Sequence, residues 1–203
     1  MIQITEADYE GMEKLARVQL ATSLPGVKPI CLVGTRSSAG VANLAPFSSV
    51  THLGSKPPLL GMVTRPDTVE RHTLANILLA EEWTLSHVRA DFCQKAHQCS
   101  ARYPGEVSEF AATGLEETAL PGFQAPAVAG APVRIGLKLA EIVDLKINDT
   151  KLIIGKVTLI EIEQDAPLDG GRLDLEKLGT MGSTALDTYF EVGFAKVFPY
   201  AKP

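Results

Sequence analysis

A mostly β, antiparallel fold of strands joined by tight turns is what this 203-residue chain predicts, and three observations carry that expectation. The chain holds 17 glycines and 13 prolines, the residues that supply positive φ and fix φ near −65° in turns. Two long strand-like stretches, 131–144 and 151–163, flank Asn148-Asp149, a pair suited to a hairpin turn. Both stretches change parity midway: Ile135, Leu137 and Leu139 give way to Ile142 or Val143. One extra residue in a paired strand does this, and bulged, bent strands are how small barrels close.

The other elements follow in order. Met12, Leu15, Ala16 and Leu20 fall at helical spacing and predict a short helix over 8–20. Pro25-Gly26 turns the chain. Residues 29–35 read as a buried strand, and Ser37-Ser38-Ala39-Gly40 as a hairpin turn into a strand over 41–49. Pro57-Pro58 holds the backbone extended ahead of a strand over 59–64. A helix over 73–80 and a strand over 83–88 come next. Asp91 is placed to cap a helix from 92 to about 102, and Ser108 a shorter one over Glu109–Thr113 that Gly114 stops. Asp169-Gly170-Gly171 reads as a loop, 173–178 as a helical turn, and 189–198 as a last strand or extended arm. No repeat, charge block or low-complexity stretch marks a boundary, so one domain is expected over 1–203.

Composition excludes several functions. A net charge of −5 and few aromatic residues argue against a nucleic-acid partner or an anionic membrane, both of which need a basic face. No apolar run reaches the roughly 20 residues of a membrane-spanning helix. Met1 to Glu6 lacks the basic start and apolar core of a secretion signal, and the three cysteines form an odd, unevenly spaced set. The expectation is a reduced, cytoplasmic protein. Cys93 and His97 would share a helix face while Cys99 points elsewhere, so no metal site is assigned. Nucleophile-elbow, phosphate-loop and dinucleotide fingerprints are all absent, and no catalytic residue is assigned.

The chemistry concentrates between Asn43 and Asn76. Asn43-Leu44-Ala45-Pro46-Phe47-Ser48-Ser49 ends an apolar strand in polar groups, and Thr64 and Arg65 end the next one. Arg71-His72-Thr73 then opens an apolar helix. Helix N-termini present unpaired N–H groups and the positive end of the dipole, so an anion is stabilised there. An arginine fork and a threonine hydroxyl beside them complete a phosphate cradle. Each residue also has a plain alternative. Ser48 and Ser49 can serve local backbone groups, Arg65 and Arg71 can be solvated surface, and Thr73 or Thr68 can simply cap the helix. Asn76, one turn beyond Thr73, is read as a structural tie of the helix to a neighbouring loop.

The ordered set Asn-x-x-Pro-x-Ser, apolar strand, Arg, basic-x-Thr-x-x-Asn-Ile resembles the flavin-reductase-like family of FMN-binding split barrels. The likeness covers roughly residues 20–165 and extends to Ser108-Glu109-Phe110 and Gly114-Leu115, with a fainter echo at Leu178 to Gly182 and Tyr189. It implies a six-stranded antiparallel split β-barrel with peripheral helices. It implies an FMN site from Asn43, Ala45, Pro46, Phe47, Ser48, Ser49, Thr64, Arg65, Arg71 and Thr73, with Asn43 facing the ring edge. The activity implied is NAD(P)H:flavin oxidoreductase, in a homodimer serving oxygen or a separate flavin-dependent oxygenase. The family commonly has Lys-Asp-Thr where this chain has Arg71-His72-Thr73: the charge and the threonine are kept, the acid is not. Alternatives on the same fold are an FMN electron carrier or oxygenase without NAD(P)H activity, and a barrel binding haem, a deazaflavin or no cofactor. The phosphate-cradle residues speak against the last.

Overall fold

The computed structural model describes residues 1–66, 71–164, 168–185 and 187–202, so Thr68 lies outside the described residues. Seven strands form the main sheet: β1 (Cys31–Arg36), β2 (Ala42–Phe47), β3 (Thr51–Ser55), β4 (Pro58–Thr64), β5 (Glu82–His87), β6 (Val133–Leu145) and β7 (Thr150–Ile162). Their order is β2-β1-β5-β6-β7-β4-β3, with every neighbouring pair antiparallel. The two end strands, β2 and β3, are consecutive in the chain. Residues 48–50 span at most about 14 Å between them, so the sheet must curl round until its ends meet. That is a split barrel, with its open seam between β2 and β3.

The expected fold class holds, with one strand more than the six expected. The extra strand is β3, whose Thr-His-Leu-Gly-Ser sequence is exposed and interrupted by a register shift between His52 and Gly54. It carries no alternating apolar face for a sequence reading to find. The parity changes do mark bulges. Ala140 in β6 and Thr158 in β7 have no partner across the ladder, and the register shifts at both points. Asp149 takes φ +56° in the hairpin between these strands, where Asn148 Oδ1 accepts from the Thr150 N–H and hydroxyl.

Two apolar clusters lie on opposite faces of β1. Leu32 joins Leu44, Val88, Phe92, Phe110 and Val128, while Cys31 and Val33 join Met62, Trp83, Leu85, Leu137 and Ile153. This is the period-two alternation of a strand covered on both sides. Helix α3 (His72–Ala80) packs on the second cluster through Leu74 and Ile77. Residues 120–126 close over β5 and β6. There, buried Glu82 accepts from the Gln124 and Ala125 N–H groups and from Lys138 Nζ, and Lys138 stands 4.7 Å from the Phe123 ring centroid.

Some expectations are corrected at the periphery. The single helix over 8–20 is two, α1 (Glu6–Glu10) and α2 (Lys14–Ser23), broken at Gly11 and opened by a reciprocal Thr5–Asp8 capping box. Asp91 does not cap a helix. It pairs with Arg89 at 2.9 Å, and a 3₁₀ turn leads into a short α4 (Cys93–Gln98). Helix α5 (Glu109–Thr113) ends at Gly114 with φ +66°, as expected, although Ser108 makes no side-chain cap bond. The Gly170-Gly171 loop is a tight hairpin joining Leu168–Asp169 to Arg172–Leu173. Lys28–Pro29, β8 (Met181–Thr184) and β9 (Thr188–Glu191) form a small separate sheet, so of the strand or extended arm expected over 189–198 the strand ends at Glu191 and the rest runs without regular structure.

Candidate functional site

One cleft of about 750 Å³ opens beside β2, the end of β4 and the start of α3. Its size falls in the usual range for small-molecule sites. All ten residues singled out in the sequence line it: Asn43, Ala45, Pro46, Phe47, Ser48, Ser49, Thr64, Arg65, Arg71 and Thr73. Strand β2 is buried over its first three residues and half-buried over its last three, which brings Ala45, Pro46 and Phe47 to the cleft. Pro46 has no N–H to give, and β2 is an end strand, where that donor is not required.

The polar side chains divide into those already used by the fold and those left over. Asn43 Nδ2 donates to Thr35 Oγ1 at 3.2 Å and to Thr73 Oγ1 at 3.1 Å, and Asn76 Nδ2 donates to the same Thr35 oxygen at 3.0 Å. This buried network locks α3 onto β1 and β2. The amide nitrogen of Asn43 is therefore committed to the fold, and Asn76 is a structural tie, made to strand β1 and not to the neighbouring loop expected. Thr35 was missed. The available signal was a hydroxyl inside an otherwise apolar buried strand, which must find partners there.

Ser49 behaves as the plain alternative had it. Its hydroxyl donates to the Val63 carbonyl at 2.9 Å and accepts from the Val63 N–H at 3.1 Å, pinning the end of β2 to β4. Thr64 is buried, with its hydroxyl 3.5 Å from the Lys151 carbonyl. Ser48 is different: its hydroxyl makes no hydrogen bond among the described residues.

Arg71 is the other unspent group. It occupies the N-cap position of α3 without capping it, and its buried Nε has no hydrogen-bond partner among the described residues. No side chain among the described residues caps this helix, so among them the first-turn N–H groups lack the satisfaction a cap provides. Arg71, His72, Thr73 and Leu74 all line the cleft. Arg65 stands exposed at its edge. Among the described lining residues, Lys28, Arg65, Arg71 and Arg102 are cations and Glu109 is the one carboxylate, in a chain of net charge −5. Charge of that sign, gathered against the balance of the whole chain, favours an anionic ligand.

The opposite wall was not anticipated. Residues 99–105 and Glu109 supply it. Glu109 is buried, and its Oε2 accepts the Leu44 N–H at 2.9 Å, tying α5 to β2. Burial pushes the Glu109 carboxyl above its usual value, against the Leu44 N–H, its own N–H and the nearby His72. The Cys99 thiol is pushed up to about 11, chiefly by burial, which removes it as a nucleophile at neutral pH. Its Sγ donates to the Lys95 carbonyl and His97 Nδ1 faces the Tyr189 hydroxyl at 3.2 Å, so these two side chains serve separate contacts.

With this geometry in hand, the comparisons with known proteins are specific. Residues 27–173 match the flavin reductase like domain. A split-barrel protein of Shewanella frigidimarina assigned as a flavin reductase is 36% identical, with a TM-score of 0.95 over 99% of this chain and 100% of its own. Component B of a nitrilotriacetate monooxygenase from Bacillus cereus superposes with a TM-score of 0.86 over 98% of each chain, at 21% identity, a likeness of fold. An uncharacterized protein of Deinococcus radiodurans is 29% identical over 93% of this chain and 89% of its own length.

Proposed function

This chain belongs to the flavin reductase like family, and from that premise we propose that it binds FMN in the cleft and acts as an NAD(P)H-dependent flavin oxidoreductase. The observation that carries the FMN assignment is the buried, unpartnered Nε of Arg71 at the uncapped start of α3, beside the free hydroxyl of Ser48. A buried guanidinium edge without an acceptor is costly, and a phosphate oxygen satisfies it. Arg71, Ser48 and the first-turn N–H groups of α3 would hold the phosphate, with Arg65 adding charge at the rim. The Thr73 hydroxyl accepts from Asn43 and keeps its own proton for a phosphate oxygen. Ala45, Pro46 and half-buried Phe47 offer apolar ground for the ring system.

Bound FMN would supply the redox chemistry, taking a hydride from a nicotinamide and passing two electrons on. The protein's part is to hold the reactants in register and keep water from them, which requires no acid or base of its own. The Asn43–Thr35–Asn76 network serves that purpose by fixing α3 against β2. We further infer that the whole of 1–203 works as one domain, in the cytoplasm, as a homodimer. Its acceptor would be oxygen or a separate flavin-dependent oxygenase. The shared fold with a monooxygenase component B supports that partner class.

The test is a visible spectrum of the purified protein with FMN, followed by NADH and then NADPH under air. Flavin uptake with bleaching by either nicotinamide is the expected result. Flavin that is bound yet stays oxidised with both would remove the reductase and leave an electron carrier. No uptake of FMN would remove the site assignment.

A further inference from the structure

The cleft has a second set of lining residues that the FMN assignment leaves unused. Thr22 and Pro25, from the last turn of α2 and the chain after it, reach it from outside the span 27–173 that matches the family, as does Ala185 between β8 and β9. Lys28 stands with them, its backbone paired opposite Ser183 of β8. Much of this side of the site is therefore built by parts of the chain that the shared domain does not span.

Two of its cations are available. Lys28 Nζ donates to the Thr22 carbonyl, which anchors the ammonium at the end of α2 and leaves two of its three donors over. Arg102, on the 99–105 wall, makes no hydrogen bond or ion pair among the described residues, so its whole fork is open. Tyr103 beside it, with its hydroxyl held by Gln98 at 3.1 Å, brings an aromatic ring to the same wall, where a purine can pack.

We propose that this side of the cleft selects NADPH over NADH, with Arg102 taking the 2′-phosphate and Lys28 adding positive charge in the same cleft. The inference rests on the reductase reading above and goes beyond it by choosing the hydride donor. The two dinucleotides differ at one place, where NADPH carries a phosphate of charge about −1.5 to −2 and NADH a hydroxyl. A site for the hydroxyl offers a carboxylate to accept from it, whereas a site for the phosphate offers an arginine. Among the described lining residues the one carboxylate is Glu109, whose Oε2 is spent on the Leu44 N–H. Arg71, Ser48 and the α3 N–H groups already match a single flavin phosphate, so Lys28 and Arg102 are cations beyond that need. At about 750 Å³ the cleft lies in the upper half of the range for small-molecule sites, as one that admits a second ligand beside FMN must.

Calorimetric titration of the protein in FMN-containing buffer with NADP+ and with NAD+, the oxidised forms, reads binding without turnover. The parent should bind NADP+ at least about 10-fold more tightly than NAD+. Arg102→Ala should lose about 10- to 100-fold in NADP+ affinity, the worth of a charge-assisted pair, with NAD+ and FMN affinities unchanged. Lys28→Met should move NADP+ the same way by less. In turnover, Arg102→Ala should raise the KM for NADPH and keep kcat. A parent that binds the two equally, binds NAD+ more tightly or binds neither overturns the proposal. So does an Arg102→Ala variant that loses NAD+ as much as NADP+, since Arg102 would then hold a group both share, or one that loses FMN, since it would then hold the flavin phosphate. The reductase reading fails separately, as a protein that takes up no FMN or whose flavin neither reduced dinucleotide bleaches, while the preference for NADP+ and its loss in Arg102→Ala are read all the same.

Discussion

Glu82 and Arg71 are both charged groups set against the same barrel, and the fold treats them in opposite ways. Around Glu82 every acceptor is used. Its Oε1 takes the Gln124 and Ala125 N–H groups at 2.6 and 3.1 Å, and its Oε2 takes Lys138 Nζ at 2.5 Å. Burial alone would push its carboxyl up, but Lys138 and the two N–H groups outweigh burial and hold it below the usual value. Around Arg71 the described residues supply no acceptor for a buried donor. A charge satisfied within the chain stabilises the fold, whereas one left unsatisfied detracts from stability until something else pairs with it. The first is architecture, and the second is the observation on which the proposed FMN site rests.

The largest effect expected from this contrast is on stability, at Glu82. Glu82→Ala leaves two N–H groups of the 120–126 segment without acceptors and strips Lys138 of its partner. Since Lys138 is partly solvated, the loss should be about 2 to 3 kcal/mol in denaturant unfolding, below the full cost of an unpaired buried ion. Because the folded-state pKa of Glu82 is depressed, its contribution is present above the usual value near 4.5 and is lost as pH falls through the folded value. Arg71→Ala should do the opposite, leaving stability unchanged or slightly raised. Losing one charge-assisted contact should weaken FMN about 10- to 100-fold, read by flavin fluorescence titration. If Arg71→Ala destabilised the chain like Glu82→Ala while FMN bound as before, the contrast would be void.

How much of this could be read from residues alone differs between the two regions. The cleft was legible because its residues are near neighbours in sequence. Asn43 to Thr73 spans one strand end, one hairpin and one helix start, and backbone geometry brings these together. Its second wall was not, because residues 99–105 and Glu109 reach β2 only through tertiary packing. The Glu82 latch was equally invisible: its partners lie 42, 43 and 56 residues away, and no local pattern links them. Helices α1 and α2 failed for another reason. They bury no residue, so the apolar spacing that suggested one helix had no core to answer to, and Gly11 decided the break. The bulges in β6 and β7 were legible because a parity change is itself local.

The smallest effect is the one that separates the two glutamates. Glu109 is buried like Glu82, but among the described residues no cation comparable to Lys138 sits on it, so burial outweighs the Leu44 N–H, its own N–H and His72, and its carboxyl is held above its ordinary value. For an acid with a raised folded pKa the linkage runs the other way. Stability falls as pH rises from near 4.5 through the folded value, then stays at the lower level. Glu109→Gln keeps an oxygen for the Leu44 N–H and removes the charge. The variant should be more stable than the parent at pH 7, and should lack that fall with pH. It also deletes the one carboxylate among the described charged residues of the cleft, so FMN should bind more tightly, not less. A variant less stable at pH 7 would mean that His72 pairs with Glu109 strongly enough to outweigh burial. Glu109 would then stand with Glu82 as architecture, and Arg71 would be the lone unpaired charge of this pair of regions.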